Sequence, residues 1–403
     1  MKNVYIIDEH QSSKQNGIGT YIRQLLLCFR QMNVNIGLVS YNADVETFQI
    51  ARKEYYTEYS IPICGMGGFL QNGRLTLSLL RLYINDSSEN VFFVNHSPCS
   101  DFLRTIKKQF PMSRLYFVVH NQGWCDPLLG DYKLLQKIKN TSVRKKWQHI
   151  WNYIKDEKKM YRLADGVIAL SDTTKEIIRS NYGIADRKIH LIPNGLHLPD
   201  VKTVEVSKEE MRRKLDIRPE EKVLLYAGRT VRSKGIFALL KAFNRVAAQH
   251  KNIRLVIAGQ VRSLDEFTHL TCDCLSRVCY TGLLEKEELY KWYQAADITI
   301  LPSYTEQSSY TGIEILAFGK LSIVANGLSM KDMFTENEVL MIEPGKDRDC
   351  DEGFTDKLAS AIEYALTMDE ATRTLLETNS RRLYERKYAL EHMAEKYSAL
   401  LER

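Results

Sequence analysis

Val223-Leu-Leu-Tyr-Ala-Gly-Arg-Thr-Val-Arg-Ser-Lys-Gly235 is an apolar run that breaks into a cationic loop bracketed by two glycines. Residues 223–227 have the length and β-branched, aromatic character of a strand buried on both faces. Gly228 and Gly235 suit the tight backbone path of a loop leaving such a strand. Within the loop, Arg229 offers a planar fork and Lys234 a point charge, and both suit phosphate oxygens. Runs of the same kind recur downstream at 253–258, 278–280, 297–301, 321–325 and 339–342. Upstream they lie at 4–7, 36–39, 91–94, 115–119, 167–170 and 189–192. Helical patterns separate them, clearest at 21–32 and 144–163. Apolar strands alternating with helices imply an α/β fold with parallel sheets covered on both faces.

The rhythm is interrupted once. Pro193-Asn-Gly195 stops a strand, Pro199 follows, and a charged stretch ends in Arg218-Pro-Glu-Glu-Lys222. A chain of 403 residues is also longer than one compact core usually supports. Two Rossmann-like, doubly wound domains are therefore expected, 1–198 and 199–385, facing an interdomain cleft. Ligands should bind beyond the C-terminal ends of the strands. The tail 372–403 is helical and charged, with a break near 387–389.

Composition narrows the function. The chain is 44% hydrophobic and 26% charged with a net charge of +6, which argues against a nucleic-acid partner on bulk electrostatics. The first ten residues meet acidic side chains after a short apolar run, unlike a signal peptide. No uncharged apolar run approaches the length of a membrane span. Eight cysteines at irregular spacing, with Cys28 on an apolar face and Cys64, Cys99 and Cys125 isolated, read as reduced thiols. The cytoplasm is the expected compartment. His269, Cys272, Cys274 and Cys279 match a zinc site in number but lack a Cys-x2-Cys pair, so no metal site is expected.

Three more segments carry chemistry. Pro-Ser-Tyr-Thr-Glu-Gln-Ser-Ser-Tyr-Thr-Gly-Ile-Glu (302–314) follows a strand and enters a helix. Ser308, Ser309, Thr311 and Gly312 would present N–H groups at that helix start, an end that attracts phosphates. Glu306 and Glu314 flank it and could accept hydrogen bonds from sugar hydroxyls. The loop 15–21 after the first strand holds Gly17 and Gly19, but Ile22 occupies the third glycine position of a dinucleotide fingerprint. His120 ends the strand 115–119, where it should face the cleft. Segment 133–162 sets ten Lys and Arg against Asp156 and Glu157, with Trp147, Ile150, Trp151 and Ile154 at helical spacing. Such a stripe usually packs inward, and it can also rest on an anionic membrane surface.

Taken in order, Gly17 and Gly19, His120, Pro193-Asn-Gly195, Gly228-Arg-x4-Lys234-Gly235 and Glu306-x7-Glu314 resemble the family 4 retaining glycosyltransferases, of GT-B fold. The resemblance covers nearly the whole chain and is strongest over 223–345. It implies that Arg229 and Lys234 grip the donor diphosphate, that Glu314 takes ribose hydroxyls and that Glu306 holds the transferred sugar. Backbone at Gly17, Gly19, Gly228, Ser308, Ser309, Tyr310 and Thr311 would approach the donor, and His120 would sit beside the anomeric carbon. It further implies a nucleotide-diphosphate sugar as donor, a hydroxyl acceptor, no metal or other cofactor, and a closing helix at 386–403 that crosses back to the N-terminal domain. A cell-envelope polysaccharide or glycolipid is the favoured acceptor, with a peptide or protein as another. The inner membrane face would be a peripheral location through 133–162. Gln307-Ser308-Ser309 replaces the family's usual Gly-Phe-Gly, which loosens any inference about the donor sugar. Two rivals stand beside this reading: a nucleotide-sugar epimerase on the same scaffold, and a non-catalytic nucleotide-sugar-binding partner protein.

Overall fold

In the computed structural model the described residues are 1–13, 16–63, 69–95, 99–140, 145–198, 207–261, 264–345 and 352–402. Gln15, Cys64, Arg144 and Pro199 lie outside them. The strands in chain order are β1 (Lys2–Glu9), β2 (Val34–Ala43), β3 (Gln49–Arg52), β4 (Thr57–Pro62), β5 (Asn90–Val94), β6 (Arg114–Val119), β7 (Gly166–Ala169) and β8 (Ile189–Leu191). They continue as β9 (Lys222–Ala227), β10 (Ile253–Ala258), β11 (Val278–Gly282), β12 (Ile298–Leu301), β13 (Ser322–Ala325) and β14 (Leu340–Ile342).

β1 to β8 form one sheet in the order β3-β4-β2-β1-β5-β6-β7-β8. All pairings are parallel except β3 with β4, so the expectation of a wholly parallel sheet needs correcting at this edge. The two strands escaped the sequence reading because Gln49–Arg52 and Thr57–Pro62 are mostly exposed or half-buried. Without an apolar run they carry no buried-strand signal. The second sheet, β11-β10-β9-β12-β13-β14, is parallel throughout. Its central strands are buried on both faces, and Leu224, Tyr226, Leu255, Ile257, Ile298 and Ile300 share one core with the helix Ile236–Gln249.

The chain forms two compact units, and neither is one continuous stretch. The first holds Met1–Trp124, Tyr132–Gly195 and Leu390–Arg403; the second holds Cys125–Asp131 and Leu196–Ala389. The seven residues 125–131, expected within the first domain, therefore belong to the second unit. The helix Leu390–Glu402 completes the first, where the Tyr397 ring meets Phe29 and Phe93, each at 5.5 Å, and its hydroxyl meets that of Tyr21. A π-helical turn Tyr384–Tyr388 and extended Ala389 precede that helix, at the break expected near 387–389.

At the base of the second sheet, buried Asp297 accepts from Lys208 Nζ (2.8 Å), Arg212 (2.9 Å) and the Val223 N–H (2.8 Å). Burial alone would raise its carboxyl, but the two cations and the amide outweigh it and hold the group below the usual carboxylate range. This joins the helix Lys208–Lys214 to the start of β9.

Candidate active site

In the second unit the chain lays β10 and β11 to one side of β9, then returns to place β12 on the other. Loops after β9 and β12 therefore leave the sheet at its switch point, the usual ligand position in such sheets. The cationic loop and the Glu306 loop are these two.

Local backbone chemistry brings them together. After β9, Gly228 adopts φ +152°, and a short 3-10 turn Arg232–Lys234 ends at Gly235 with φ +71°. A Cβ at Gly235 would stand 2.0 Å from the carbonyl oxygen of Pro302, so only glycine lets the loop lie against the segment after β12. The Tyr304 N–H then donates to the Ser233 carbonyl at 2.9 Å. As a result Lys234 Nζ sits 2.7 Å from Glu306 Oε1 and 3.3 Å from the Thr305 carbonyl oxygen. Both side chains are largely shielded, at 17% and 13% exposure, which strengthens their attraction relative to a surface pair. Arg229 has its carbonyl held by the Tyr226 hydroxyl at 2.6 Å, while its half-exposed guanidinium lies 3.7 Å from Asp126.

Asp126 belongs to the seven-residue segment that joins this unit. Gln307 Nε2 lies 3.5 Å from Cys125 Sγ, and Gly130, at φ +66°, packs where a Cβ would come 2.8 Å from the Tyr304 carbonyl oxygen. No periodicity marked this segment, because its contacts span more than a hundred residues. Beside it, the hydroxyls of Ser303, Thr305 and Ser329 are buried and have no hydrogen-bond partner among the described residues. Unpaired buried hydroxyls are costly, and a bound polar ligand is one way to satisfy them.

The helix after β12 is Tyr310–Phe318, with Ser309 as its N-cap. Ser309 Oγ accepts the Gly312 N–H at 3.3 Å, and the Ser309 N–H donates to Met333 Sδ at 3.2 Å. Two of the amides expected to face a phosphate, those of Ser309 and Gly312, are thus already used. Thr311 Oγ1 donates to the Ala227 carbonyl at 3.3 Å and ties that turn to the end of β9. Ser308 and Ser309 are both buried.

Glu314, one turn further on, is fully buried. Lys286 Nζ donates to its Oε1, and the Tyr293 hydroxyl donates to Oε2 at 3.2 Å. Burial and then the neighbouring carboxylate push Tyr293 well above its ordinary range, so it remains a donor. Lys286 opens the helix Lys286–Ala295, and nothing in its local sequence pointed to the site.

The first unit has its own switch point between β1 and β5, where the strand order reverses. Gly17 starts the helix Gly17–Arg30, capped by Asn16, whose Oδ1 accepts the Ile18 N–H at 2.8 Å. Gly19 has a packing reason of its own, since a Cβ there would come 2.5 Å from the Ser13 carbonyl oxygen. Asp8, at the end of β1, is pushed up to about 6 by burial, against the pull of a 2.8 Å bond from Ser13 Oγ. At the end of β6, His120 Nε2 lies 3.1 Å from Asn95 Oδ1, and its ring stands edge-on to Tyr21 at 4.5 Å.

Glu157 anchors the backbone just beyond His120. Its carboxylate accepts the Gly123 N–H at 2.6 Å and the Tyr182 hydroxyl, and burial raises it to about 7 from the ordinary 4.5. A carboxyl raised in the folded state stabilises the fold fully below the unfolded value, and that contribution is lost as pH climbs to the folded value. Measured against Glu157→Gln by urea unfolding, the wild-type protein should therefore lose about 3 kcal/mol between pH 4.5 and 7. A difference that stays level across that window would refute the assignment.

Around the cysteine and histidine group weighed for zinc, Cys274 Sγ donates to Asn244 Oδ1 at 3.2 Å. Among the described residues no three His, Cys, Asp or Glu side chains are grouped to hold a metal ion. Nor does any described helix have the length and apolarity to cross a membrane.

The chain thus forms two doubly wound units, one of which carries a cationic loop and two acidic side chains at its switch point. Two family models match: Glycosyltransferase Family 4 over residues 15–198 and Glycosyl transferases group 1 over residues 207–380. The chain belongs to this glycosyltransferase family. Among curated proteins it is 32% identical over 168 residues to the alpha-monoglucosyldiacylglycerol synthase of Streptococcus pneumoniae, covering 40% of this chain and 37% of that one. It is 25% identical over 216 residues to the D-inositol 3-phosphate glycosyltransferase of Xylanimonas cellulosilytica, covering 51% of each. The matched stretch thus spans about half, or less, of these relatives' lengths. Among solved structures, sucrose-phosphate synthase from Thermosynechococcus elongatus superposes with a TM-score of 0.78 at 19% identity, over 100% of this chain and 98% of that one. Anabaena HepE, solved in complex with UDP-glucose, gives 0.71 at 14% identity over 100% of both chains. These likenesses establish the GT-B fold.

Proposed function

We propose that the protein transfers a sugar from a nucleotide-diphosphate donor to a hydroxyl acceptor with retention at the anomeric carbon. The observation that carries this reading is the shielded Lys234–Glu306 pair at the β9/β12 switch point, with Arg229 beside it. Lys234 and Arg229 would stabilise the charge that grows on the leaving diphosphate, a large catalytic term wherever charge develops in a shielded site. Glu306 would hold the transferred sugar, and Glu314 the ribose. In this scheme the acceptor oxygen bonds to the anomeric carbon on the face the phosphate leaves. The bond from that carbon to the phosphate oxygen breaks, and the hydroxyl proton passes to the departing phosphate. No metal is required, because the two cationic side chains supply the positive charge. In this scheme the backbone of Gly17 and Gly19 would approach the donor phosphates and His120 the anomeric carbon, all from the β1/β5 switch point of the first unit, whose remaining surface we assign to the acceptor.

The acceptor we favour is a cell-envelope glycolipid or polysaccharide. Two observations support it: the S. pneumoniae relative bears the name of a glycolipid synthase, and Lys155, Lys159, Arg162 and Tyr153 are exposed on the helix Gln148–Leu163. Ile150, Ile154 and Met160 on that helix pack inward. Salt-sensitive binding to vesicles containing anionic lipid is the corresponding readout.

The deciding experiment incubates the protein with UDP-, GDP- and TDP-sugars, with and without lipid and saccharide acceptors in EDTA, and follows the anomeric proton by NMR. Transfer that needs an acceptor and yields the donor's own anomeric configuration is expected. A new nucleotide sugar from donor alone would instead indicate an epimerase. Donor-induced thermal stabilisation with no turnover would indicate a binding protein.

A further inference from the structure

We infer that Lys286 is a positioning residue for the nucleoside half of the donor, acting through the carboxylate of Glu314. This rests on the reading above, in which Glu314 takes the ribose.

Burying a carboxylate as deeply as Glu314 is costly unless a cation and hydrogen bonds compensate it. Here Lys286 and Tyr293 supply both, one on each oxygen. The two partners differ in access. Tyr293 is itself buried, whereas Lys286 keeps 31% of its side chain exposed. Of the two partners, Lys286 is thus the one that reaches Glu314 from the more exposed side. Each carboxylate oxygen retains a second lone pair, so Glu314 can accept a ribose hydroxyl while both partners stay in place. Lys286 fixes the direction of the carboxylate, and an acceptor held in place loses less freedom when it bonds a hydroxyl. No other Lys or Arg approaches Glu314 within ion-pair distance among the described residues.

The test measures binding of UDP, 2′-deoxy-UDP and 3′-deoxy-UDP by calorimetry to the wild-type protein, Lys286→Met and Lys286→Arg. If UDP does not bind, the nucleoside diphosphate showing the largest thermal shift replaces it with its deoxy forms. In the wild type, loss of the engaged ribose hydroxyl should weaken binding about tenfold or more. In Lys286→Met that penalty should shrink to about twofold, with the parent nucleotide bound about tenfold more weakly. Lys286→Arg should restore most of both effects, and the loss should fall on donor KM more than on kcat. A full deoxy penalty in a folded Lys286→Met protein overturns the inference and leaves the reading of the site intact. If the wild type binds no nucleoside diphosphate at all, the reading of the site itself fails. Should Lys286→Met unfold, Lys286→Gln provides the same comparison with a shorter, uncharged donor.

Discussion

Lys234→Met is expected to lower turnover by about a hundred- to a thousandfold while the protein stays folded. The figure follows from removing one preorganised donor at the point where charge develops, which by itself is worth about a hundred- to a thousandfold. The methionine has nearly the volume of the lysine it replaces, so the stem keeps its packing. What is lost is the ammonium group 2.7 Å from Glu306 Oε1 and 3.3 Å from the Thr305 carbonyl oxygen. A purely structural pair would behave differently. If Lys234 served only to neutralise Glu306, the double variant Lys234→Met with Glu306→Gln would regain stability and activity together, since no uncompensated charge remains. If both side chains act on the donor, the double variant should be as inactive as either single one. Single-turnover rates at saturating donor, with urea unfolding in parallel, separate the two outcomes. A double variant with wild-type turnover would remove the pair from the mechanism.

The second large effect concerns the backbone. Gly235→Ala should destabilise the second unit by about 3 kcal/mol or more and abolish donor binding, because two penalties coincide there. The left-handed φ of +71° costs an alanine about 1–2 kcal/mol. In addition, its Cβ would stand 2.0 Å from the Pro302 carbonyl oxygen, which cannot move without dragging the end of β12. Gly282 provides the control. It has the same φ of +71° with nothing within 4 Å of a Cβ, so Gly282→Ala should show the conformational cost alone, about 1–2 kcal/mol. Equal losses in the two variants, read from urea midpoints, would mean that the contact with Pro302 contributes nothing.

Much of the architecture was legible in the residues. All six strands of the second sheet announced themselves as short apolar runs, and the central four, β9, β10, β12 and β13, are buried on both faces, which leaves few polar positions to blur them. β3 and β4 were missed for the opposite reason: strands at and next to a sheet edge, half in water, look like loops. Helix starts shifted by a few residues, as at Gly17 and Gln148, where terminal turns carry little apolar pattern. Within the candidate site, Arg229, Lys234, Glu306 and Glu314 could be nominated because each sits in or beside a loop that follows a recognisable strand. Lys286 could not be, since an exposed-looking lysine at the start of a charged helix has no local mark of its partner.

The amino-acid order by itself determined the alternation of strands and helices, the two-unit plan and the glycines at 228 and 235. These follow from burial and backbone sterics, which act between near neighbours. Only the tertiary structure decided that Lys234 meets Glu306, that Lys286 meets Glu314, and that residues 125–131 join the second unit. Such pairings depend on strand order in the sheet, and a sheet's order is set by contacts between residues far apart in the chain.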